Sequence, residues 1–229
     1  MNIPKFLVID LETQSKEMFN RKGHFRNNSI VAIGLKSSSG EEKIDYIYPN
    51  KLKNLEIDED ILIGHNLKFD LLHLWSISGI QKFLKNKGKV YDTMLAEYFM
   101  SGQTHKFPGL RELAVKYGRP ERSKYMEEYW DKGIDTSKIP VNIVLQDLKE
   151  DVLDTEAVYL GQQALLTEQQ KKLLEIQNDL LLGLTEMEFN GIYCNRIILE
   201  QNQLELEAQL ERNVNELEEL IKPYWKLEC

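Results

Sequence analysis

Strand-like and helix-like segments are segregated along this chain, and their order constrains the fold more than any other feature. Short apolar runs rich in β-formers predict strands near residues 5–11, 30–36, 43–48, 61–64 and 90–91. From about residue 141 onward, apolar residues recur every three or four positions, which is typical of helices. Strands early and long helices late predict an α/β domain over residues 1–165, followed by a helical extension over residues 166–229.

The composition narrows the class of protein. The 229 residues are 42% hydrophobic and carry a net charge of −8, with only two cysteines, Cys194 and Cys229. These values exclude collagen-like, disordered and disulfide-scaffold classes and argue against a cysteine-based zinc site. The longest apolar runs are a handful of residues, and the N-terminus lacks an apolar secretory segment. We therefore expect a cytoplasmic protein with no membrane partner.

Positive charge is concentrated in two stretches despite the acidic total. Residues 81–89 carry four lysines and no acid, and residues 103–126 carry six Lys or Arg against two Glu. Net charge does not decide what one face of a protein binds, so each stretch is a candidate contact for phosphates, although ordinary solvated loops have the same pattern. Residues 118–140 contain Gly, Pro and many charges and predict a surface excursion.

The last two helical segments carry apolar stripes at helical spacing. The first stripe consists of Leu173, Ile176, Leu180, Leu184 and Met187. The second, after the break at Asn190-Gly191, consists of Leu206, Leu210, Val214, Leu217 and Ile221. We predict an antiparallel helical hairpin with an apolar seam, which a local bundle, a second copy or a separate partner would cover.

Two carboxylates stand at the end of the first predicted strand. Asp10 and Glu12 are two residues apart, so in a strand both side chains project from the same face. Similar pairs such as Glu216/Glu218 belong to solvated segments, whereas this pair follows a buried apolar run. A carboxylate is costly there unless a cation satisfies it, which favours a functional site over a solvated face.

Two further acidic motifs follow along the chain. If a helix begins near Asn66, Asn66 and Asp70 lie on a common face one turn apart. Asp147 and Asp151 share a face in the same way. Taken singly, each motif has an ordinary alternative: a helix cap with a surface acid in the first case, and a charged amphipathic helix in the second.

Together the three motifs resemble the 3′–5′ exonuclease superfamily with four acidic metal ligands, and within it the proofreading domain of A-family, DNA polymerase I-like enzymes of the phage type. The first motif, Asp-x-Glu-Thr, matches IDLET at residues 9–13, and the second, Asn-x₂₋₃-(Phe/Tyr)-Asp, matches NLKFD at 66–70. The third matches EDV at 150–152. The stretches YDTMLAEYF at 91–99 and GLRELAVKYG at 109–118 are also similar to the family.

This resemblance implies an RNase H-like α/β fold, with a mixed central sheet flanked by helices, and a hydrolytic site. The four residues that it identifies as catalytic and metal-binding are Asp10, Glu12, Asp70 and Asp151. Asp10 would bridge two Mg²⁺ or Mn²⁺ ions, one activating water and the other stabilising the leaving 3′ oxygen. The reaction would release nucleoside 5′-monophosphates from DNA 3′ ends, as in proofreading during DNA replication.

The resemblance also implies how the substrate is held. Backbone amides near Leu11 and Thr13, together with Asn66, would contact the last nucleotide. Single-stranded DNA or a frayed primer 3′ end fits such a site better than paired DNA, because unstacked bases can lie on aromatic and apolar side chains.

The segment LLGLTEMEFNGIYCN at 181–195 is similar to the chain that follows the exonuclease in those polymerases, at the base of the thumb. The resemblance therefore identifies residues 166–229 as the start of a polymerase thumb, with fingers and palm absent from this sequence. It implies a polymerase portion as a partner in cis or in trans, and the cytoplasm of a bacterial host if the source is viral.

One position departs from the family pattern. The polymerase branch has a Tyr four residues before the last Asp, and a sister branch has a His five residues before it; here these positions are Asp147 and Gln146. Three side chains are candidates to orient the attacking water instead: Asp147, Tyr125 and Tyr129.

Other functions share parts of this pattern. A ribonuclease D-like RNA exonuclease has the same three motifs, although the extension at 166–229 argues against it. The change at position 147 suits a module that binds a single-stranded 3′ end without cleaving it. The predicted hairpin suits an assembly piece that docks onto a separate polymerase subunit.

Overall fold

The computed structural model describes residues 4–14, 25–39, 44–104, 106–123 and 125–222. The strands are β1 (Phe6–Thr13), β2 (Ile30–Ser37), β3 (Asp45–Ile47), β4 (Ile61–Gly64) and β5 (Lys89–Asp92). The helices are α1 (Leu67–Leu74), α2 (Ser78–Lys85), α3 (Thr93–Met100), α4 (Leu110–Lys116), α5 (Glu127–Asp131), α6 (Val141–Leu165), α7 (Glu168–Asn190) and α8 (Arg196–Ile221). Short 3₁₀ turns lie at Pro49–Asn54 and Thr136–Lys138. None of the described helices is long and apolar enough to span a membrane.

The strands form one mixed sheet in the order β3-β2-β1-β4-β5. β1 pairs antiparallel with β2, and β2 antiparallel with β3. β4 pairs parallel with β1 on its other side, and β5 parallel with β4. The predicted mixed central sheet with flanking helices is confirmed, and a strand is found at each of the five predicted positions.

β1 is central in the sheet and buried on both faces, and its side chains alternate between two cores. The odd-numbered side chains belong to the core under α1 and α2, with members Leu7, Ile9, Leu11, Leu71 and Ile80. The even-numbered side chains belong to the core under α6, with members Phe6, Val8, Val152 and Tyr159. Because side chains alternate with period two, Asp10 and Glu12 continue the face that packs against α6.

The chain divides into two compact units near residue 190. One unit is Met1–Phe189 and the other is Asn190–Cys229. α7 belongs to the first unit because Leu174 and Leu181 are buried in its two cores. Asn178 is also buried there, and its Oδ1 accepts a hydrogen bond from the backbone N–H of Asp92 at 3.1 Å.

The apolar stripes predicted for the helical hairpin are exposed in this chain. On α7 the stripe positions Leu173, Ile176, Leu180, Leu184 and Met187 are 47–70% exposed. α8 has no buried side chain along its length. The buried face of α7 instead carries Leu174, Asn178, Leu181 and Thr185. Two of these four residues are polar, so a search for apolar residues at helical spacing selects a different face of α7.

The predicted surface excursion at 118–140 is also wrong in part. Met126 and Ile139 are buried and form a small core with Val144 of α6. Met126 is fully buried although charged residues surround it in the sequence. This segment is therefore packed against the start of α6, and it carries two arginines that reach the acidic face of that helix.

Candidate metal centre and cleft

Three of the four predicted acids converge at one point. Carboxylate oxygens of Asp10, Glu12 and Asp151 lie within 4.8 Å of one another. Asp10 and Glu12 reach this point from the end of β1, and Asp151 reaches it from α6. The strand alternation that directs the even-numbered residues of β1 toward α6 is the cause of the convergence.

A glycine allows α6 to approach the sheet closely. Gly34 of β2 is the register partner of Asp10. A Cβ at Gly34 would lie 2.9 Å from Cγ2 of Val152 and 3.0 Å from Cγ of Leu148, closer than Cβ atoms normally come. The bare backbone of β2 therefore accommodates the turn of α6 that carries Asp151.

Asp70, the fourth predicted acid, lies beside this cluster on α1. Its side chain is buried, and the backbone N–H of Leu11 is close enough to lower its pKa against the effect of burial. Burial raises its pKa well above the ordinary value, and its negative charge in turn raises the pKa of Asp10. Asp70 is close enough to interact with the cluster, although it is not among the three residues whose oxygens meet.

The cluster is electrostatically unfavourable without a cation. Burial, and next the charge of Asp151, raise the pKa of both Asp10 and Glu12 well above their ordinary values. Burial also raises the pKa of Asp151 to about 7, although Arg122 opposes this shift. Buried carboxylates with hard oxygen atoms are the ligands that divalent cations such as Mg²⁺ and Mn²⁺ prefer. The donor set therefore fits a divalent metal site.

Asn66 precedes α1 in a left-handed conformation, with φ of 59°. Its side chain makes no capping hydrogen bond, so the ordinary helix-cap interpretation of Asn66 is wrong. Asp92 takes that role, accepting hydrogen bonds from the backbone N–H groups of Asn66 and Leu67 at 3.0 and 2.9 Å. Asn66 lines the same cleft as the acids.

Leu11 and Thr13, whose backbone amides were predicted to contact the substrate, lie in different environments. The backbone N–H of Leu11 lies near the Asp70 carboxyl group and lowers its pKa, and the Leu11 side chain is buried. Thr13 is half-buried at the last position of β1, where the pairing with β2 shifts register between Glu12 and Thr13. Thr13 thus lies at the irregular end of the strand, where the ladder with β2 is interrupted.

His65 makes two hydrogen bonds beside the acids. Its Nε2 lies 3.2 Å from the carbonyl oxygen of Pro108, and its Nδ1 lies 3.0 Å from Oγ1 of Thr93. Burial lowers the pKa of His65 to about 4, so the imidazole is neutral at pH 7. His65 therefore joins the loop before α4 to the start of α3.

Asp147 is buried and paired with two arginines. Its Oδ1 lies 3.1 Å from Nη1 of Arg122 and 3.4 Å from Nη2 of Arg111. Arg122 also pairs with Asp151 through Nη2 and with Asp154 through Nε, the latter at 2.8 Å. One guanidinium thus contacts three acids on one face of α6, while Asp147 is committed to cations rather than to solvent.

Tyr129, another candidate to orient water, packs against the small core that contains Met126. Trp130, its neighbour in sequence, lines the cleft, and its Nε1–H donates a hydrogen bond to Oγ1 of Thr136 at 3.1 Å. Tyr125 is half-buried. Sequence reasoning missed Trp130, because the aromatic residues of this segment give no signal of which one faces the acids.

The acids open onto a cleft of about 500 Å³. The residues that line it are Asp10, Glu12, His65, Asn66, Gly109, Leu110, Arg111, Glu112, Glu127, Trp130, Asp147 and Asp151. Arg111 was predicted only as one member of a basic stretch. Its charge lowers the pKa of Glu12 and of Asp151, which places a cation in the same electrostatic environment as the acids.

No protein-family model and no curated protein matches this sequence. Solved structures do match. Brucella melitensis NrnC bound to pGG is similar to this chain with a TM-score of 0.59 and 21% identity, over 81% of this chain and 85% of NrnC. A structure described as the apo form of the nuclease has a TM-score of 0.58 and 19% identity, over 81% of this chain and 84% of that one. Brucella melitensis NrnC with bound Mg²⁺ has a TM-score of 0.55 and 19% identity, over 81% of this chain and 86% of NrnC.

These similarities show the fold. The mixed five-stranded sheet and its flanking helices match an RNase H-like fold, as predicted from the sequence.

Proposed function

We propose that this chain is a divalent-metal-dependent nuclease that removes nucleotides from the 3′ ends of single-stranded nucleic acid. The convergence of Asp10, Glu12 and Asp151 within 4.8 Å at the base of an open cleft is the observation that carries the proposal. Such a cluster of half-buried carboxylates is unfavourable by itself, and a metal site is the simplest physical reason to assemble one.

The residues that would hold the metal are the three converging acids, with Asp70 as a fourth ligand. When bound, a pair of divalent ions supplies activation of a water molecule and stabilisation of the leaving 3′ oxygen. Asn66 would bind the terminal nucleotide through its carboxamide, and Trp130 offers an aromatic surface for an unstacked base. The products would be nucleoside 5′-monophosphates.

We propose DNA as the substrate and a polymerase portion, in cis or in trans, as the partner. The motif resemblance to the proofreading domain of A-family polymerases supports this choice, as does the similarity of residues 181–195 to the segment that leads into a polymerase thumb. The exposed apolar positions of α8 are consistent with a helix that requires a partner.

A second candidate is an exonuclease that acts on RNA or on short oligonucleotides. Its support is the similarity in fold to NrnC, one structure of which is bound to pGG. DNA and RNA of equal length and sequence, together with pGG, distinguish the two candidates when they are offered to the same preparation.

Digestion of a 5′-labelled single-stranded DNA with Mg²⁺ or Mn²⁺ tests the proposal. We expect a ladder that shortens from the 3′ end, that EDTA abolishes, and that the double variant Asp10→Ala/Glu12→Ala does not produce. Glu216→Ala/Glu218→Ala is a matched control, because it removes two acids at the same spacing from the exposed helix α8. Metal-dependent binding without a ladder would favour the non-cleaving binding module instead.

A further inference from the structure

Arg111 is placed at the wall of the cleft, next to the acids. It is the second residue of α4, and its neighbours Gly109 and Leu110 line the same cleft. Its side chain is 28% exposed, whereas that of Arg122 is 7% exposed. The Arg111 guanidinium is therefore accessible from the cleft, while that of Arg122 is enclosed by the face of α6.

Two acids hold this guanidinium from different elements. Nη1 of Arg111 donates to Oε1 of Glu127 on α5 at 2.9 Å. Nη2 lies 3.4 and 3.5 Å from the two carboxylate oxygens of Asp147 on α6. A guanidinium carries five N–H donors, more than these two carboxylates engage. The arrangement fixes the orientation of the group and retains donor capacity toward the cleft.

The cleft is lined mainly by acidic residues, and this setting indicates what the positive charge of Arg111 does there. Among the described residues that line the cleft, six are acidic and Arg111 is the one Lys or Arg. An anionic phosphodiester that enters a cleft lined by carboxylates is repelled unless cations face it. A planar guanidinium pairs with two phosphate oxygens at once, which a point charge does not.

We propose that Arg111 is a substrate-binding residue that donates hydrogen bonds to a phosphate of the nucleic-acid chain at the acidic cluster, with Asp147 and Glu127 as the positioning residues that orient it. This inference rests on the proposed function, because it names the group that receives the substrate at that site. It also gives Asp147 a task other than direct contact with water.

Arg119 supplies a matched control for this proposal. It lies in the segment that follows α4, and it pairs with Asp154 at 2.9 Å and with Glu150 at 2.8 Å, both on α6. Its side chain is 26% exposed, close to the 28% of Arg111, but it does not line the cleft. The two arginines thus have similar exposure, and each pairs with two acids. They differ in position, because only Arg111 lines the cleft that contains the acidic cluster.

Binding measurements without turnover test the proposal. The probe is a fluorescent single-stranded oligonucleotide, titrated in Ca²⁺ and followed by anisotropy at several salt concentrations. We expect Arg111→Gln to weaken binding about tenfold or more, as loss of a charge-assisted hydrogen bond does. We also expect it to reduce the salt slope by about 0.7, the value for one phosphate contact on a single strand. Arg119→Gln should leave both quantities unchanged.

Arg111→Lys separates binding from folding. It keeps the charge, so it should fold and retain the salt slope, yet bind more weakly than wild type because the bidentate geometry is lost. Thermal unfolding and Mn²⁺ titration of each variant establish that it is folded and binds metal at the temperature of the binding measurement. Oligonucleotide binding by Arg111→Gln equal to that of wild type would overturn the proposal and leave Arg111 a structural ion-pair partner.

The outcomes for the two proposals are distinguishable. If wild type binds the oligonucleotide but does not cleave it with Mg²⁺ or Mn²⁺, the nuclease proposal fails and the Arg111 proposal is decided by the binding data alone. If wild type cleaves and Arg111→Gln binds normally, only the Arg111 proposal fails. If wild type binds neither oligonucleotide nor a nucleoside 5′-monophosphate, both fail.

Discussion

The carboxylate of Asp92 accepts a hydrogen bond from the backbone N–H of Leu67 at 2.9 Å, and so joins the end of β5 to the first turn of α1. The same carboxylate accepts hydrogen bonds from the N–H groups of Met94 and Leu95 in the first turn of α3. One side chain thus caps two helices, one of which carries Asp70.

Replacing Asp92 with Ala should destabilise the protein by about 1–4 kcal/mol, because two N-caps are lost and each costs about 0.5–2 kcal/mol. Asn195→Ala is the control, since Asn195 caps only α8 through Ile197 and Ile198 in an exposed position. Urea denaturation of the two variants measures the difference. Equal and small effects would mean that Asp92 is not needed to hold α1 and α3 together.

His65 should make the protein less stable as the pH falls. Burial lowers its pKa to about 4 in the folded state, below the ordinary value of 6.5. The unfolded chain therefore takes up the proton first, and stability that is present above pH 6.5 is lost as the pH falls toward 4. The difference between pH 7 and pH 5 amounts to about 2 kcal/mol.

Comparison with His65→Gln isolates this contribution. Burial raises the pKa of Asp92 to about 6, which acts in the opposite direction, so the wild-type curve alone contains both effects. Urea denaturation at pH 7 and pH 5 should show a smaller loss for the variant than for wild type. Identical losses would mean that His65 takes up a proton without resistance in the folded protein.

Replacing Arg122 with Ala should strongly destabilise the protein. Its guanidinium pairs with Asp147, Asp151 and Asp154, and breaking a buried ion pair from one side typically costs about 3–5 kcal/mol. Arg122→Lys should rescue this only in part, since one ammonium cannot reproduce three contacts of a planar fork. Arg196→Ala, which breaks an exposed pair with Glu200, should change stability by less than about 0.5 kcal/mol. Thermal unfolding in EDTA compares the three variants without any contribution from metal.

Two glycines on helices should respond in opposite directions to alanine. A Cβ at Gly79 of α2 would lie 1.8 Å from the carbonyl oxygen of Leu55, so Gly79→Ala must displace backbone and should destabilise the protein. Gly183 of α7 has no atom within 4 Å of its Cβ position, and Gly183→Ala should stabilise by about 0.5–1 kcal/mol through helix propensity. Opposite shifts in the midpoint of urea denaturation check both, and stabilisation by Gly79→Ala would contradict the packing described for α2.

Much of the fold is readable from the sequence because the strands are short, apolar and buried. The alternation in β1 is sufficient to place Asp10 and Glu12 on one face, and helical spacing is sufficient to place Asp147 and Asp151 on another. That these faces meet depends on the packing of α6 over β2, which no local pattern encodes. The resemblance to an exonuclease family supplied that link.

The parts that the sequence did not predict involve buried polar groups. The inner face of α7 contains Asn178 and Thr185, whose hydrogen bonds to the Asp92 N–H and the Leu181 carbonyl make their burial acceptable. A hydrophobicity pattern has no access to such partners and therefore selects the outer stripe. In the same way, Arg111, Arg119 and Arg122 have the composition of a solvated loop, but each pairs with acids of α6.

Because Gly34 has only a hydrogen atom in place of a side chain, helix α6 can approach β2 closely, and this approach sets the geometry of the acidic cluster. Asp10 lies opposite that glycine in the sheet, and Asp151 lies one residue before the valine that touches it. The separation between the two carboxylates is thus set by a residue that has no functional group at all. A methyl group at position 34 would displace a helix rather than a side chain, and so move the Asp151 carboxylate away from that of Asp10.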